Sequence, residues 1–249
     1  GVIKSCGNYC GVVCCVERMQ YPGICREIHW GVTIMKYSIR FFAVIFAIFL
    51  TACSTMYYSG LEKIGIPKRN VLVYRVEKAR DTQEETREQF KSALEQFSAA
   101  TNFKGGDLEG IYKKLNGEYE ASVNKAKEVR SRIEDIENVS AALFREWEQE
   151  ITQYSNPALK RSSQDRLTET RSYYKQLIAA MKNAEARIQP VLTVFNDQVM
   201  YLKHNLNARA IASLKGELKT LQSNVSTLVA AMEKSINEAN TFISNMEKN

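Results

Sequence analysis

The sequence predicts an all-α fold, namely an elongated antiparallel helical bundle or coiled coil of about four long helices. Proline is rare, with four residues in the chain, and no segment alternates apolar and polar side chains as a strand does. From residue 70 onward, apolar side chains recur every three or four positions, a spacing that places them along one side of an α-helix. We therefore assign residues 70–249 to one helical bundle domain.

The first predicted helix covers about residues 70–101, and its two halves differ. The apolar residues of its second half are Phe90, Ala93, Leu94 and Phe97, whereas its first half offers only Val73, Val76 and Ala79. Between Ala79 and Phe90, residues 80–88 are mostly charged. We therefore expect the first half to be solvated or to lie against a partner.

The second predicted helix has the most regular apolar stripe. Asp107, after Gly105-Gly106, is expected to cap its N-terminus. Asn156-Pro157 is expected to end it, because the residue before a proline avoids the α region. A helix between these points would be roughly 70 Å long. Its stripe consists of Leu108, Ile111, Leu115, Tyr119, Val123, Ala126, Val129, Ile133, Ile136, Leu143, Trp147, Ile151 and Tyr154.

The third and fourth predicted helices are separated at residues 204–207, where Asn207 can cap the fourth helix. One continuous helix through this point is the alternative. The third helix runs from about Ser162 to Asn205 and contains Pro190. Because the apolar stripe stays in phase on both sides of Pro190, we predict a kink there and not a break.

Residues 35–53 have the pattern of a bacterial lipoprotein signal peptide. Lys36 and Arg40 form a positive start, and residues 41–50 form an apolar run too short to span a bilayer. Leu50-Thr51-Ala52-Cys53 fits the lipobox, so we predict a signal peptide over residues 35–52, cleavage between Ala52 and Cys53, and lipidation of Cys53. Residues 53–69 would then form a lipidated tether.

Residues 1–34 are expected to be non-native, translated from DNA upstream of a start at Met35. This segment has no helical or strand periodicity and contains five of the six cysteines, namely Cys6, Cys10, Cys14, Cys15 and Cys25. A zinc site that uses some of them with His29 is the alternative, but their spacing matches no zinc pattern.

The residue patterns favour no enzyme class, and we predict no catalytic residue, no metal and no cofactor. After residue 53 the only histidine is His204, and no metal-binding Glu-x-x-His or His-Glu-x-x-His and no Gly-x-Ser-x-Gly is present. Glu146 and Glu150 share a helix face that Glu148 does not, which argues against a glycosidase pair. Positive and negative side chains are interspersed, which argues against a nucleic-acid partner.

Two groups of side chains leave alternatives open. Aromatic residues in the helices either pack in the core, which we prefer, or line a ligand pocket; they are Tyr112, Tyr119, Trp147, Tyr154, Tyr173 and Tyr174. Basic residues near the tether either contact anionic headgroups or are neutralised by interspersed acids; they are Lys63, Lys68, Arg69, Arg75, Lys78 and Arg80.

The stretch LTACSTMYYSGLEKIGIPKRNVLVYRVEKARDTQEETREQFKSALEQF, residues 50–97, resembles proteobacterial lipoproteins of the domain-of-unknown-function family numbered 2959. The similarity continues through HNLNARAIASL, residues 204–214, to the C-terminus. The resemblance implies a helical envelope lipoprotein without an assigned activity, so Cys53 is the one functional residue that it transfers to this chain.

These observations predict a lipid-anchored, periplasm-facing structural or interaction protein of the bacterial cell envelope. Acyl chains would hold it on a membrane, and an envelope protein would be its partner. Ser54 in place of an aspartate after Cys53 favours the outer membrane. The alternative is a carrier that binds a hydrophobic ligand or lipid within the bundle, and an envelope hydrolase is a distant third.

Overall fold

The structure, a computed structural model, describes residues 67–248, which form five α-helices and no strand. The helices are α1 (Lys68–Thr101), α2 (Leu108–Gln153), α3 (Pro157–Ala186), α4 (Ile188–His204) and α5 (Ala208–Lys248). Because α3 and α4 follow each other in one column, these residues make four passes. The predicted all-α bundle of about four long helices is therefore confirmed.

The four passes form a ring in which each pass packs against two neighbours. Helix α1 contacts α2 and α5, and the column of α3 and α4 contacts the same two helices on the opposite side. Within the described residues, α1 is therefore diagonal to α3 and α4, and α2 is diagonal to α5. The Phe97 and Phe195 rings meet edge to face across one diagonal, with centroids 5.8 Å apart. The core thus extends across the full width of the bundle.

The bundle begins slightly earlier than the sequence predicts. Helix α1 starts at Lys68, so the last two residues of the predicted tether, Lys68 and Arg69, belong to the helix. Helix α3 likewise starts at Pro157 and not near Ser162, because Asn156 caps it and Pro157 fits the first helical position, where no amide donor is needed.

The first half of α1 is packed into the bundle, contrary to the prediction that it is solvated or covered by a partner. Leu72 and Val76 are fully buried, and the buried stripe continues through Thr82, Gln83 and Thr86. The Thr86 hydroxyl donates to the Thr82 carbonyl at 2.6 Å, which satisfies it inside the helix. Polar residues therefore occupy the core positions of α1 between Ala79 and Phe90.

The predicted kink at Pro190 is instead an interruption of the helix three residues earlier. Arg187 separates α3 from α4, and its N–H donates to the Ala184 carbonyl at 3.2 Å. Pro190 consequently lies in the first turn of α4, where amide groups lack acceptors within the helix. The buried stripe stays in phase across this point, from Ala184 to Ile188 and Val191.

Side-chain caps fix the turns between passes. Asp107 Oδ1 accepts from the Gly110 amide at 2.9 Å, and Asn156 Oδ1 accepts from the Ala158 amide at 2.9 Å. Asn207 Oδ1 accepts from the Arg209 amide at 2.9 Å, and α5 packs back against α4, so the chain does reverse there, as predicted. Gly105 and Gly106 have φ angles of 121° and 130°, which L-residues with side chains rarely adopt.

Candidate functional site

A pocket of about 260 Å³ opens at the end of the bundle where α1 begins. Side chains from α1, α2, α3 and α5 line it, so all four passes meet at this point. Its apolar lining includes Leu143, Trp147 and Met246. Charged lining residues are Lys68, Arg69, Glu146, Glu150 and Arg166. We call this cavity the α1-end pocket.

A largely buried ion pair forms one wall of the α1-end pocket. Lys68 Nζ lies 2.7 Å from a Glu146 carboxylate oxygen, and the Lys68 side chain is only 8% exposed. An ammonium group at this depth is stable only with an opposite charge beside it. The pair therefore fixes the first turn of α1 against α2.

The carboxylates around Trp147 are separated as predicted. Glu146 and Glu150 line the pocket, whereas Glu148 faces Arg171 on α3, with 2.7 Å between their charged groups. The hydrogen bond from Arg171 lowers the pKa of Glu148, which disfavours a role as a general acid. Trp147 Nε1–H donates to Ser163 Oγ at 2.9 Å and joins α2 to α3.

Beyond this level α2 and α3 continue as a two-helix hairpin, which we call the α2–α3 tip (residues 152–163). Lys68 pairs with Glu146, and α2 runs on to Gln153, about 10 Å further at 1.5 Å per residue. Tyr154 and Leu159 at this tip are 43% and 56% exposed. Sequence reasoning did not single the tip out, because its lack of acidic residues is shared by other stretches, for example residues 198–216.

Most of the basic residues predicted near the tether are occupied within the bundle. Lys68 pairs with Glu146, and Arg75 donates to Asp135 at 3.0 Å. Arg80 donates to Asp81 and to Asn240, and Lys78 lies over the Tyr74 ring at 5.7 Å. Lys63 lies outside the described residues. This arrangement favours neutralisation over a shared headgroup site for the described members.

The aromatic residues mainly pack in the core, as preferred. Tyr174 meets Phe144 edge to face at 5.4 Å, and burial raises the pKa of its hydroxyl. Tyr119 meets Phe195 at 6.1 Å. Tyr112 and Tyr173 pack against the same core, and Tyr154 is exposed at the α2–α3 tip. Among these aromatic residues, only Trp147 lines the α1-end pocket.

The remaining predicted residues do not join this site. Cys53, Ala52, the cysteines of residues 1–34 and His29 lie outside the described residues. His204 is exposed at the last position of α4. Within residues 67–248, no group of three or more His, Cys, Asp or Glu side chains is arranged to hold a metal ion. None of the five helices in this range combines the length and hydropathy of a membrane span.

Comparison with known proteins identifies a family. No curated protein matches the chain. The model of one family, described as a protein of unknown function (DUF2959), matches residues 57–246. This match covers well over half of the chain, including all of α1 to α4 and nearly all of α5. The chain therefore belongs to the DUF2959 family.

Proposed function

We propose that this protein is a lipid-anchored, periplasm-facing structural or interaction protein of the bacterial cell envelope and not an enzyme. The observation on which the proposal rests is the lipobox at residues 50–53, followed closely by a rigid bundle. Residues 54–67 join Cys53 to α1 and span at most about 50 Å when extended. The acylated cysteine would therefore hold the bundle near the membrane surface. We further propose the inner leaflet of the outer membrane as its location, because Ser54 replaces the aspartate typical of inner-membrane retention.

The acyl anchor is tested by Cys53→Ala. Three acyl chains bury enough methylene groups for stable attachment, at about 0.8 kcal/mol each, whereas one chain gives only marginal binding. We expect the wild-type protein to incorporate labelled fatty acid and to lose the signal peptide, and the variant to do neither. Ser54→Ala is the matched control, because it changes the adjacent residue without removing the thiol. A Cys53→Ala protein that is still lipid-labelled and correctly processed would refute the proposal.

The proposal also concerns the N-terminus of the mature protein. We expect it to begin at Cys53, without residues 1–34 and without the signal peptide. Intact-mass analysis of the membrane-bound protein measures this directly. A mature form that retains any part of residues 1–34 would contradict the assignment of Met35 as the start.

The role in the envelope requires a protein partner, and the bundle offers an exposed charged surface for one. Photo-crosslinking side chains at Tyr74, Glu84 and Met200, all exposed on different parts of the bundle, test this in intact cells. We expect one of these positions to capture the same protein reproducibly while the others do not. Identical capture from all three positions, or from none, would count against an interaction role.

The carrier alternative is less well supported than the interaction role. The α1-end pocket has about 260 Å³, below the roughly 300–1,000 Å³ of small-molecule sites. Two larger surface grooves, of about 740 and 610 Å³, are lined mainly by charged and polar side chains, which does not suit a hydrophobic ligand. Lipid extraction and mass spectrometry of the purified protein distinguish the two. A stoichiometric extractable lipid would support the carrier, and we expect none.

A further inference from the structure

We propose that the α2–α3 tip (residues 152–163) is a second membrane contact that binds the anionic lipid surface beside the acylated cysteine. This inference rests on the proposed function, since it takes the acyl anchor at Cys53 as given. The occupant is a lipid surface with negative headgroups, and the tip would hold the bundle in a defined orientation on it.

The position of the tip comes from contacts near the start of α1. The chain that arrives from Cys53 enters α1 at Lys68, which pairs with Glu146 on α2. Pro67 and Met246 line the same pocket, so α5 ends at this level too. Among the described helices, only α2 and α3 extend beyond it, held together by the bond from Trp147 to Ser163. The tip is therefore at the same end of the bundle as the start of α1.

The chemistry of the tip suits the interface between headgroups and acyl chains. Residues 152–163 contain no Asp or Glu, and the nearest acidic residues of α3, Asp165 and Glu169, line one surface groove together with Arg161. Tyr154 and Leu159 expose apolar surface, and Arg161 is exposed beside the partly exposed Lys160. Exposed aromatic and aliphatic side chains flanked by Lys and Arg are typical of interfacial membrane contacts.

The two cations of the tip form no ion pairs within residues 67–248. Three of the basic residues in the first half of α1, namely Lys68, Arg75 and Arg80, do form them. Each Lys or Arg close to an anionic surface strengthens binding about fivefold, so the two together contribute about thirtyfold. The acyl anchor adds to this, because it keeps the tip within reach of the surface at a high effective concentration.

The opposite end of the bundle provides an internal control. Met200, Tyr201 and Leu206 are exposed there, with Lys203 and Arg209 nearby, so its chemistry resembles that of the tip. This end lies about 70 Å away along α3 and α4. The exposed side chains at either end could therefore contact a membrane. Only the α2–α3 tip is at the end where α1 begins, and so only the tip would be held near the membrane by the acyl anchor.

The experiment uses the lipidated mature protein in vesicles. Cys53 is the only cysteine after residue 35, and its thiol is acylated, so an added cysteine is the only free thiol. Ser155→Cys labels the tip and His204→Cys labels the opposite end, both at exposed positions. Each is labelled with a fluorophore, and quenching by spin-labelled lipid is compared in phosphatidylglycerol-containing and pure phosphatidylcholine vesicles.

We expect strong quenching at Ser155→Cys in the anionic vesicles, less in phosphatidylcholine, and little at His204→Cys in either. Combining Ser155→Cys with Lys160→Gln and Arg161→Gln should reduce the quenching, whereas combining it with Lys203→Gln and Arg209→Gln should not. Equal quenching at both ends, equal quenching in both lipids, or no effect of the tip substitutions would overturn the proposal.

A separate outcome identifies failure of the proposed function itself. If the mature protein does not partition into vesicles at all, Cys53 is not an acyl anchor. The tip is then tested with soluble Cys53→Ser protein labelled at Ser155→Cys. Anionic vesicles should shift its fluorescence, and the Lys160→Gln, Arg161→Gln substitutions should raise the half-saturating lipid concentration about thirtyfold. No shift in this assay would overturn the membrane contact.

Discussion

Gln83 is a buried amide in the core of the bundle, and replacing it should stabilise the protein. Its side chain is 1% exposed, and neither its nitrogen nor its oxygen has a hydrogen-bond partner in residues 67–248. Ser235 on α5 is also buried with an unpartnered hydroxyl. Gln83→Met keeps an unbranched side chain of similar length and removes both unpartnered atoms. We therefore expect a higher free energy of unfolding.

The magnitude follows from the cost of an unpaired polar group. A buried donor or acceptor without a partner costs about 1–3 kcal/mol, and an apolar group of the same shape avoids this cost. Met has a similar volume and fills irregular gaps, so overpacking should be small. We expect a gain of about 2 kcal/mol. For a domain of this size, that corresponds to a rise in Tm of about 4–8 °C.

Urea and thermal denaturation, followed by circular dichroism, measure the change. Gln89→Met is the matched control, because Gln89 Nε2 donates to Glu118 Oε2 at 2.8 Å and its side chain is partly exposed. Gln89→Met removes an existing hydrogen bond, and we expect the free energy of unfolding to fall by about 1 kcal/mol or less. A different result would contradict this prediction. If Gln83→Met lowered the free energy of unfolding by as much as Gln89→Met or more, the amide of Gln83 would have to form stabilising interactions in the folded protein.

Further predictions concern single features of the fold. Asn207→Ala should cost about 1 kcal/mol in urea denaturation, because it removes the N-cap of α5. Pro190→Ala should change stability by less than about 1 kcal/mol, well short of the ~3 kcal/mol of an interior proline, because Pro190 lies in the first turn of α4. Lys68→Met should cost about 1–3 kcal/mol because it removes one partner of a largely buried ion pair, and adding Glu146→Gln should recover part of the loss. The hydrogen bond from Lys125 lowers the pKa of the Glu128 carboxyl from its ordinary value. The stability that this interaction contributes is therefore present at neutral pH and is lost as the pH falls through the lowered pKa. Urea midpoints measured between pH 7 and acidic pH should therefore fall less steeply for Glu128→Gln.

The architecture was predictable because the apolar stripes of the later helices are long and regular. The spacing along α2 and α5 identifies one buried side, and Asp107 and Asn207 mark helix starts through cap chemistry that depends only on local sequence. The exact start of α3 was missed because Asn156-Pro157 serves two purposes. The pair follows the end of one helix and begins the next.

The burial of α1 was not predictable from hydropathy. Thr82, Gln83 and Thr86 occupy core positions, although their side chains are polar and lie within a charged run. The packing of α1 between α2 and α5 places them inside, which is a tertiary effect that overrides the local pattern. The interruption at Arg187 likewise depends on how the helix accommodates Pro190, which removes a donor but does not itself fix the position of the break.

The candidate site was only partly visible in the sequence. Helix geometry predicts that Glu146 and Glu150 share one face of α2 and that Glu148 lies on another, and this prediction is confirmed. The pairing of Lys68 with Glu146 depends on the register of two helices far apart in sequence, which no local pattern specifies. The same register decides that Lys68 and Arg75 of α1 pair with acidic residues of α2.

The even number of passes returns the C-terminus to the side of the bundle where the chain enters. Pro67 and Met246 line one pocket, while the turns at residues 102–107 and 205–207 close the other end. A fluorescent protein fused after Asn249 would therefore report on the space next to the tether and would crowd any surface there. A peptide epitope inserted between Gly105 and Gly106 would be displayed about 50 Å away, at the end of α1. The choice between these two positions determines which environment of the protein a reporter samples.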